Sequence, residues 1–243
     1  MFKRISLAMA LTLVLSVSAF AADNGFYMGL KFIDSIQSTG DVSKGGGTNW
    51  FDVDNYTQNT VGGGAFVGYD FYPMHQVPIR AEIEYAIRTN SETDWDLKGG
   101  YRNAISVPGV DTNANLKGQW NLQTLFLNAY WDFHNDTAFT PYIGGGVGLG
   151  FIQSKYEVEV NVTVPGVGSG SWSDSYNETN TVFAWNAGAG VAYAITDNLS
   201  ADLAYRFVGL GYHENEKTVE GAKFKVGMAP YANEFSLGIR YTF

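Results

Sequence analysis

Residues 78–88 read PIRAEIEYAIR, in which Ile79, Ala81, Ile83, Tyr85 and Ile87 alternate with Arg80, Glu82, Glu84 and Arg88, Ala86 standing within the charged row. Successive side chains of a β-strand point to opposite faces, so this alternation predicts a strand with one apolar and one charged face. In a soluble sheet the apolar row faces a core and the charges face water. In a membrane barrel the apolar row faces lipid, and the charges face one another inside.

The same pattern recurs, giving eight segments in all. Gly25–Ile36 sets Phe26, Met28, Leu30 and Phe32 against Tyr27, Gly29 and Lys31. Val61–Tyr72 sets Ala65, Val67, Tyr69 and Phe71 against Gly62, Gly64, Phe66, Gly68 and Asp70. Residues 78–88 are third, and Trp120–Phe133 follows with Leu125, Leu127, Ala129, Trp131 and Phe133 opposite Thr124, Asn128, Tyr130 and Asp132. Thr140–Ile152 alternates Ile143, Val147, Leu149 and Phe151 with glycines. Thr181–Ile195, Leu199–Gly209 and Asn233–Phe243 complete the set. Several segments approach the ~9–11 residues with which a tilted strand crosses a bilayer.

Connection lengths alternate as well. Pro73–Pro78, His134–Phe139 and Thr196–Asn198 are short, whereas the stretches around 37–60, 89–119, 153–180 and 210–232 are long, polar and Gly-rich. Short turns at one end and long loops at the other is the outer-membrane arrangement, turns periplasmic and loops extracellular. The expected fold is therefore all-β: an eight-stranded antiparallel transmembrane up-and-down β-barrel over residues 22–243, both mature termini on the periplasmic side.

The N-terminus supplies the export route. Phe2-Lys3-Arg4 is a positive n-region, Ile5 to Val17 an apolar h-region, and Ala19-Phe20-Ala21 an A-x-A cleavage site. The apolar run is shorter than the ~20 residues of a membrane-spanning helix. Residues 1–21 are thus expected to be a cleaved signal peptide, and losing Lys3 and Arg4 moves the formal charge from −9 to −11. That acidity argues against nucleic acid as a partner. Charged residues make up only 16% while aromatics reach 15% with 29 glycines, a balance that suits a closed barrel better than a soluble domain, where about a quarter of residues are charged. There is no cysteine, hence no disulfide.

With the apolar row facing lipid, the inward row is expected to be small or charged. It holds Lys31, Asp70, Arg80, Glu82, Glu84, Arg88, Asp132, Asp202, Arg206, Glu234 and Arg240. Five cations against six anions nearly neutralise one another, and charges taken out of water must pair. The expectation is a polar plug of ion pairs between neighbouring strands.

Three stretches carry a family resemblance: TPYIGGGVGLG (140–150), FAWNAGAGVAYAITDNLSADLAYRF (183–207) and FSLGIRYTF (235–243). They resemble the small outer-membrane β-barrels that include the OmpA barrel domain, opacity-type surface antigens and OmpW-like porins. The likeness implies a Gram-negative outer membrane as location. It implies that Phe235, Leu237, Ile239, Tyr241 and Phe243 form the terminal signal read by the barrel-assembly machinery. Outer-membrane lipid and lipopolysaccharide would surround the barrel, which is expected to be a monomer; the peptidoglycan-binding domain of full OmpA architecture is not expected.

Candidate chemistry is thin. No glycine run completes G-x-G-x-x-G, and neither G-x-S-x-G nor H-E-x-x-H occurs. His75 and His134 fall in short turns and His213 in the last long loop, so the histidines are not expected to converge on a metal. Tyr212-His213-Glu214 at the outer rim is the one place for a hydrolase or lipid-modifying site, and Glu82 with Glu84 resembles an acid/base pair; ion pairing explains the latter without catalysis. No enzyme activity and no cofactor are expected. Two non-enzymatic functions remain. In the favoured one, long loops carrying Trp50, Phe51, Tyr56, Val162, Val164, Val167 and Trp172 contact host or other cell-surface ligands, as adhesins do. The alternative is a narrow OmpW-like channel for small or hydrophobic solutes, for which inward Phe66 and Phe126 are the only hints in the strands.

Overall fold

The computed structural model describes residues 25–40, 43–46, 55–96, 111–219 and 222–243. The segment expected to be a leader, with Ala19 and Ala21, lies outside the described residues, as do Trp50 and Phe51. In chain order the strands are β1 (Phe26–Ser38), β2 (Ser43–Gly46), β3 (Thr57–Asp70), β4 (Ile79–Arg88), β5 (Ser91–Asp96), β6 (Asp111–Asp132), β7 (Phe139–Val164), β8 (Gly168–Ala194), β9 (Leu199–Leu210), β10 (His213–Val219), β11 (Ala222–Met228) and β12 (Tyr231–Thr242). One helical turn, α1 (Tyr72–His75), sits between β3 and β4.

Hydrogen-bonded neighbours run β4-β3-β1-β12-β9-β8-β7-β6, and β6 pairs back onto β4, closing an antiparallel ring of eight strands. The seam between the first and last strands is continuous from Tyr27↔Thr242 to Ser38↔Tyr231. Beyond it, the Phe243 amide donates to the Phe26 carbonyl at 3.0 Å. A closed ring leaves no backbone edge to lipid, where each unsatisfied amide costs several kcal/mol.

The outward row is the apolar one. Leu30, Phe32, Ile83, Leu127, Ile143, Phe183, Leu203, Leu237 and Ile239 are all exposed on the outer face. Rings gather at its two borders. Phe26, Tyr69 and Phe71 meet edge to face at the periplasmic border, where Phe139 also packs on Tyr193 and Tyr241 on Phe243. At the other border Trp185, Phe207 and Tyr231 form a row. Trp185 and Tyr193 lie on one strand, about 27 Å apart at ~3.4 Å per residue. At a tilt of about 40° the borders are then about 20 Å apart, close to the ~25 Å band of such barrels.

Above that border the strands continue and the alternation inverts. On β6, Leu125 and Leu127 face out and Thr124 and Asn128 are buried inside, yet Trp120 and Leu122 are buried inside while Asn121 and Gln123 face out. The reason is the change of solvent. In the bilayer the outer face prefers apolar groups, and above it the outer face meets water. Trp120, Leu122, Phe126, Ile152, Val182, Ala184, Val208, Leu210 and Ala232 consequently form an apolar cluster in the extracellular half of the lumen. This corrects the expectation that the inward row is only small or charged.

The third long connection is also built differently from the expected loop. Residues 153–180 are strand: β7 and β8 pair without interruption from Phe139↔Tyr193 to Val164↔Gly168 around a tight turn. The sequence KYEVEVNVTV alternates β-branched and polar residues, which suits a strand with both faces near water. β6 extends this wall through Asp111↔Thr163, and β5 adds to β6. Beyond Val147, the partner of Trp185, β7 still has 17 residues, roughly 56 Å of strand at ~3.3 Å each. Strands β10, β11 and β2 form a separate sheet, so the loop expected for His213 is strand there too.

Candidate functional site: the lumen and the extracellular wall

No strand supplies more inward charges than β4, whose Arg80, Glu82, Glu84 and Arg88 are all buried. In ring order β9 stands four places from β4 on either path, directly across the lumen. Arg206 of β9 nevertheless reaches Glu84, donating from Nη1 to Oε2 at 2.9 Å and lying 2.8 Å from Oε1. Its Nε donates to Glu234 Oε2 at 2.8 Å. Glu234 is shared: Arg88 Nε donates to its Oε1 at 2.7 Å and Nη2 to its Oε2 at 3.0 Å, and Ser35 adds a third donor at 2.9 Å. Lys31 Nζ closes on Glu84 at 2.7 Å and lies 3.8 Å from Glu82. Lys31, Glu84, Arg206, Glu234 and Arg88 thus form one chain of ion pairs across the pore.

Room for it comes from small residues. A Cβ on Gly64 would press on the Lys31 stem, one on Gly62 would strike the β4 backbone beside Arg88, and one on Gly188 would strike Arg206.

A second group lies toward the periplasm. Arg80 Nε donates to Asp132 at 2.6 Å, and its guanidinium faces the rings of Tyr130 and Tyr142 at 4.9 Å each and Tyr27 at 5.8 Å. Tyr27 and Tyr130 donate to Glu82 at 3.3 Å each, and Tyr142 donates to Asp202 at 2.5 Å. Among the described residues Asp70, Asp202 and Arg240 make no ion pair; Arg240 sits over the Tyr27 ring at 5.3 Å. The eleven inward charges therefore fall into a cross-barrel chain, one close pair and three separate groups; Arg80–Asp132 and Arg206–Glu234 join adjacent strands as expected, whereas Lys31–Glu84, Arg88–Glu234 and Arg206–Glu84 reach past a neighbour.

Above the ions, the apolar cluster narrows the mouth. A cavity of about 50 Å³ remains there, bordered by Tyr56, Trp120, Leu122, Ile152, Leu210 and Met228. Sequence reasoning missed this tier. The signal was present in WNLQTLFL (120–127), where the apolar phase shifts by one residue.

The wall carries a different chemistry. Val167 at the β7–β8 turn is 84% exposed and Trp172 is 57% exposed. Lower on the wall, Lys117 Nζ donates to Glu159 at 3.0 Å. That hydrogen bond holds the Glu159 carboxyl below its usual range and the Lys117 ammonium above its own. Tyr56 donates to the Glu92 carbonyl, tying the described end of the first connection to β5.

Known proteins resemble this chain. The chain is 36% identical over 195 residues to outer membrane protein PagN of Salmonella typhimurium, covering 77% of this chain and 74% of that one. It is 26% identical over 176 residues to a Rickettsia felis protein named as a candidate adhesin, covering 68% and 74%. Among solved structures, Neisserial surface protein A superposes with a TM-score of 0.49 at 16% identity, covering 90% of this chain and 97% of that one. Residues 7–243 match the family described as outer membrane protein beta-barrel domain. With its closed eight-stranded ring and apolar outer band, the chain belongs to the outer-membrane β-barrel family and is placed in the outer membrane of a Gram-negative cell.

Proposed function

We propose that this barrel is a surface-contact protein with a closed lumen, whose extracellular wall meets ligands on host or neighbouring cells. The observation that carries the reading is the β6–β7–β8 wall, which rises well beyond the lipid band and ends in exposed Val167 and Trp172. Rigid aromatic groups among Ser, Gly and Asn are favourable contact chemistry. Similarity to a Rickettsia felis protein named as a candidate adhesin supports it. In this reading the barrel works as a monomer, with lipopolysaccharide around the base of the wall. The side chains of the terminal row from Phe235 to Phe243 serve assembly at the seam with β1.

Glu82 and Glu84 are engaged by Tyr27, Tyr130, Lys31 and Arg206, which favours structure over acid/base chemistry. The apolar mouth lends something to the alternative of hydrophobic-solute passage. Size weighs against it: about 50 Å³ is a third of the ~150 Å³ cavity that admits benzene, and the ion-pair chain lies beneath.

The test expresses the protein on non-adherent cells and measures attachment to epithelial monolayers. A variant with the hairpin cut back to the Lys155–Asn177 pair and reclosed with Asn-Gly keeps the ring intact. Attachment is expected with the full chain and lost with the short hairpin; no attachment by either, or equal attachment by both, contradicts the reading.

A further inference from the structure

We propose that Asp70, Asp132 and His134 form a divalent transition-metal site at the periplasmic end of the barrel. One carboxylate oxygen from each aspartate and one ring nitrogen of His134 lie within 4.8 Å of one another. Asp70 is far in sequence from Asp132 and His134, and the two segments meet because β4 lies between β3 and β6. Asp70 ends β3 opposite Arg80, Asp132 ends β6 with its amide bonded to the Pro78 carbonyl at 2.9 Å, and His134 begins the following turn.

Each group is held in place with coordinating capacity left over. Asp132 is 4% exposed, and Arg80 occupies its Oδ2 at 2.6 Å. Its Oδ1 is buried with no hydrogen-bond partner, and an orphaned carboxylate oxygen costs free energy that a cation would recover. Asp70 accepts the Tyr72 amide on Oδ1 at 2.9 Å. The His134 ring stacks on Tyr72 with centroids 3.7 Å apart and planes 10° apart. Two carboxylates this close repel unless a positive charge lies between them, and Arg80 engages only one.

The donor set selects the ligand. One imidazole with two carboxylates suits zinc or a neighbouring first-row ion, with solvent completing the shell. Bonds of ~2.1 Å put tetrahedral ligand atoms about 3.4 Å apart, a modest inward movement from the present separations. His134 is exposed and Asp132 buried, so an ion entering from the periplasm meets the imidazole first. Sequence reasoning sought converging histidines, whereas this site takes one histidine and two strand-end aspartates. A metal here would tie the β3–β4 turn to the β6–β7 turn. The inference is independent of the surface-contact reading.

The test titrates zinc calorimetrically into the refolded full chain in detergent, prepared metal-free and without a polyhistidine tag. One zinc per chain is expected. His134→Ala and Asp70→Asn should each weaken binding by at least about tenfold, while His75→Ala, in the neighbouring turn, leaves it unchanged. Zinc should also shift the His134 ring resonances of the unmutated protein, a readout that depends on no variant folding. Absence of saturable binding, or binding that survives His134→Ala, overturns the proposal. Equal loss in His75→Ala and His134→Ala overturns it too, since that would assign the metal to exposed histidines in general.

Discussion

Replacing Glu234 by Ala should be the most destabilising single change in the lumen. Its carboxylate receives Arg88 through two hydrogen bonds of 2.7 and 3.0 Å, Arg206 at 2.8 Å and Ser35 at 2.9 Å, and the residue is 1% exposed. With charge centres ~4 Å apart and an effective dielectric of about 20, each guanidinium contributes about 4 kcal/mol of attraction. Desolvation of the carboxylate offsets several kcal/mol of that sum. Truncation then leaves Arg206 with Glu84, and Arg88 with the Thr124 hydroxyl and the Ala86 carbonyl in place of a carboxylate, for a net loss of about 3–5 kcal/mol. Urea unfolding of the refolded barrel in lipid vesicles, followed by tryptophan fluorescence, gives the measurement. Glu157→Ala is the control, because among the described residues Glu157 pairs with Lys155 alone, at 3.4 Å on the exposed wall, where such a pair is worth about 0–1 kcal/mol. Equal midpoints for the two variants would refute the reasoning.

Other expectations follow from the same geometry. Glu82→Ala should fall between those two, since Lys31 stands 3.8 Å away and the tyrosine donors are at 3.3 Å; a loss matching that of Glu234→Ala would show that hydrogen-bond length is a poor guide here. Phe243→Ala removes the ring packed on Tyr241 beside the seam, and should lower the fraction of heat-modifiable barrel formed in vivo; an unchanged fraction would deny the terminal row a role in assembly. Because hydrogen bonding to Lys117 lowers the Glu159 pKa in the folded chain, the small stabilisation from this pair is present above the unfolded carboxylate value of ~4.3 and lost as pH falls through the folded value. An NMR titration of Glu159 should show its midpoint rising in Lys117→Met, and an unmoved midpoint would remove the pair as its cause.

The ring was legible in the sequence because the lipid-facing row is apolar over whole strands, as in Phe235, Leu237, Ile239 and Tyr241, and because short turns alternate with long connections. Inward charges could be picked out by parity, as on β4. Pairing between adjacent strands, as in Arg80 with Asp132, was legible too; pairing across the pore was not. Arg206 meets Glu84 across the full width of the pore, and that distance depends on ring closure rather than on neighbouring strands. The apolar upper tier escaped for a related reason: reading apolar as outward holds only inside the bilayer, and Trp120 and Leu122 lie where the outer face meets water. The β7–β8 wall was hidden by its polarity, since Glu157, Glu159 and Asn161 resemble loop composition until their alternation with Val160 and Val162 is counted.

A planar-bilayer recording on the refolded protein bears most directly on the closed lumen. With Arg206 and Arg88 converging on Glu234 and the apolar tier above them, the unmutated barrel should insert without a steady open level, and weakening the chain by Arg206→Ala should introduce brief openings. A steady, large conductance from the unmutated protein would contradict a closed lumen, and with it the placing of function on the outer wall.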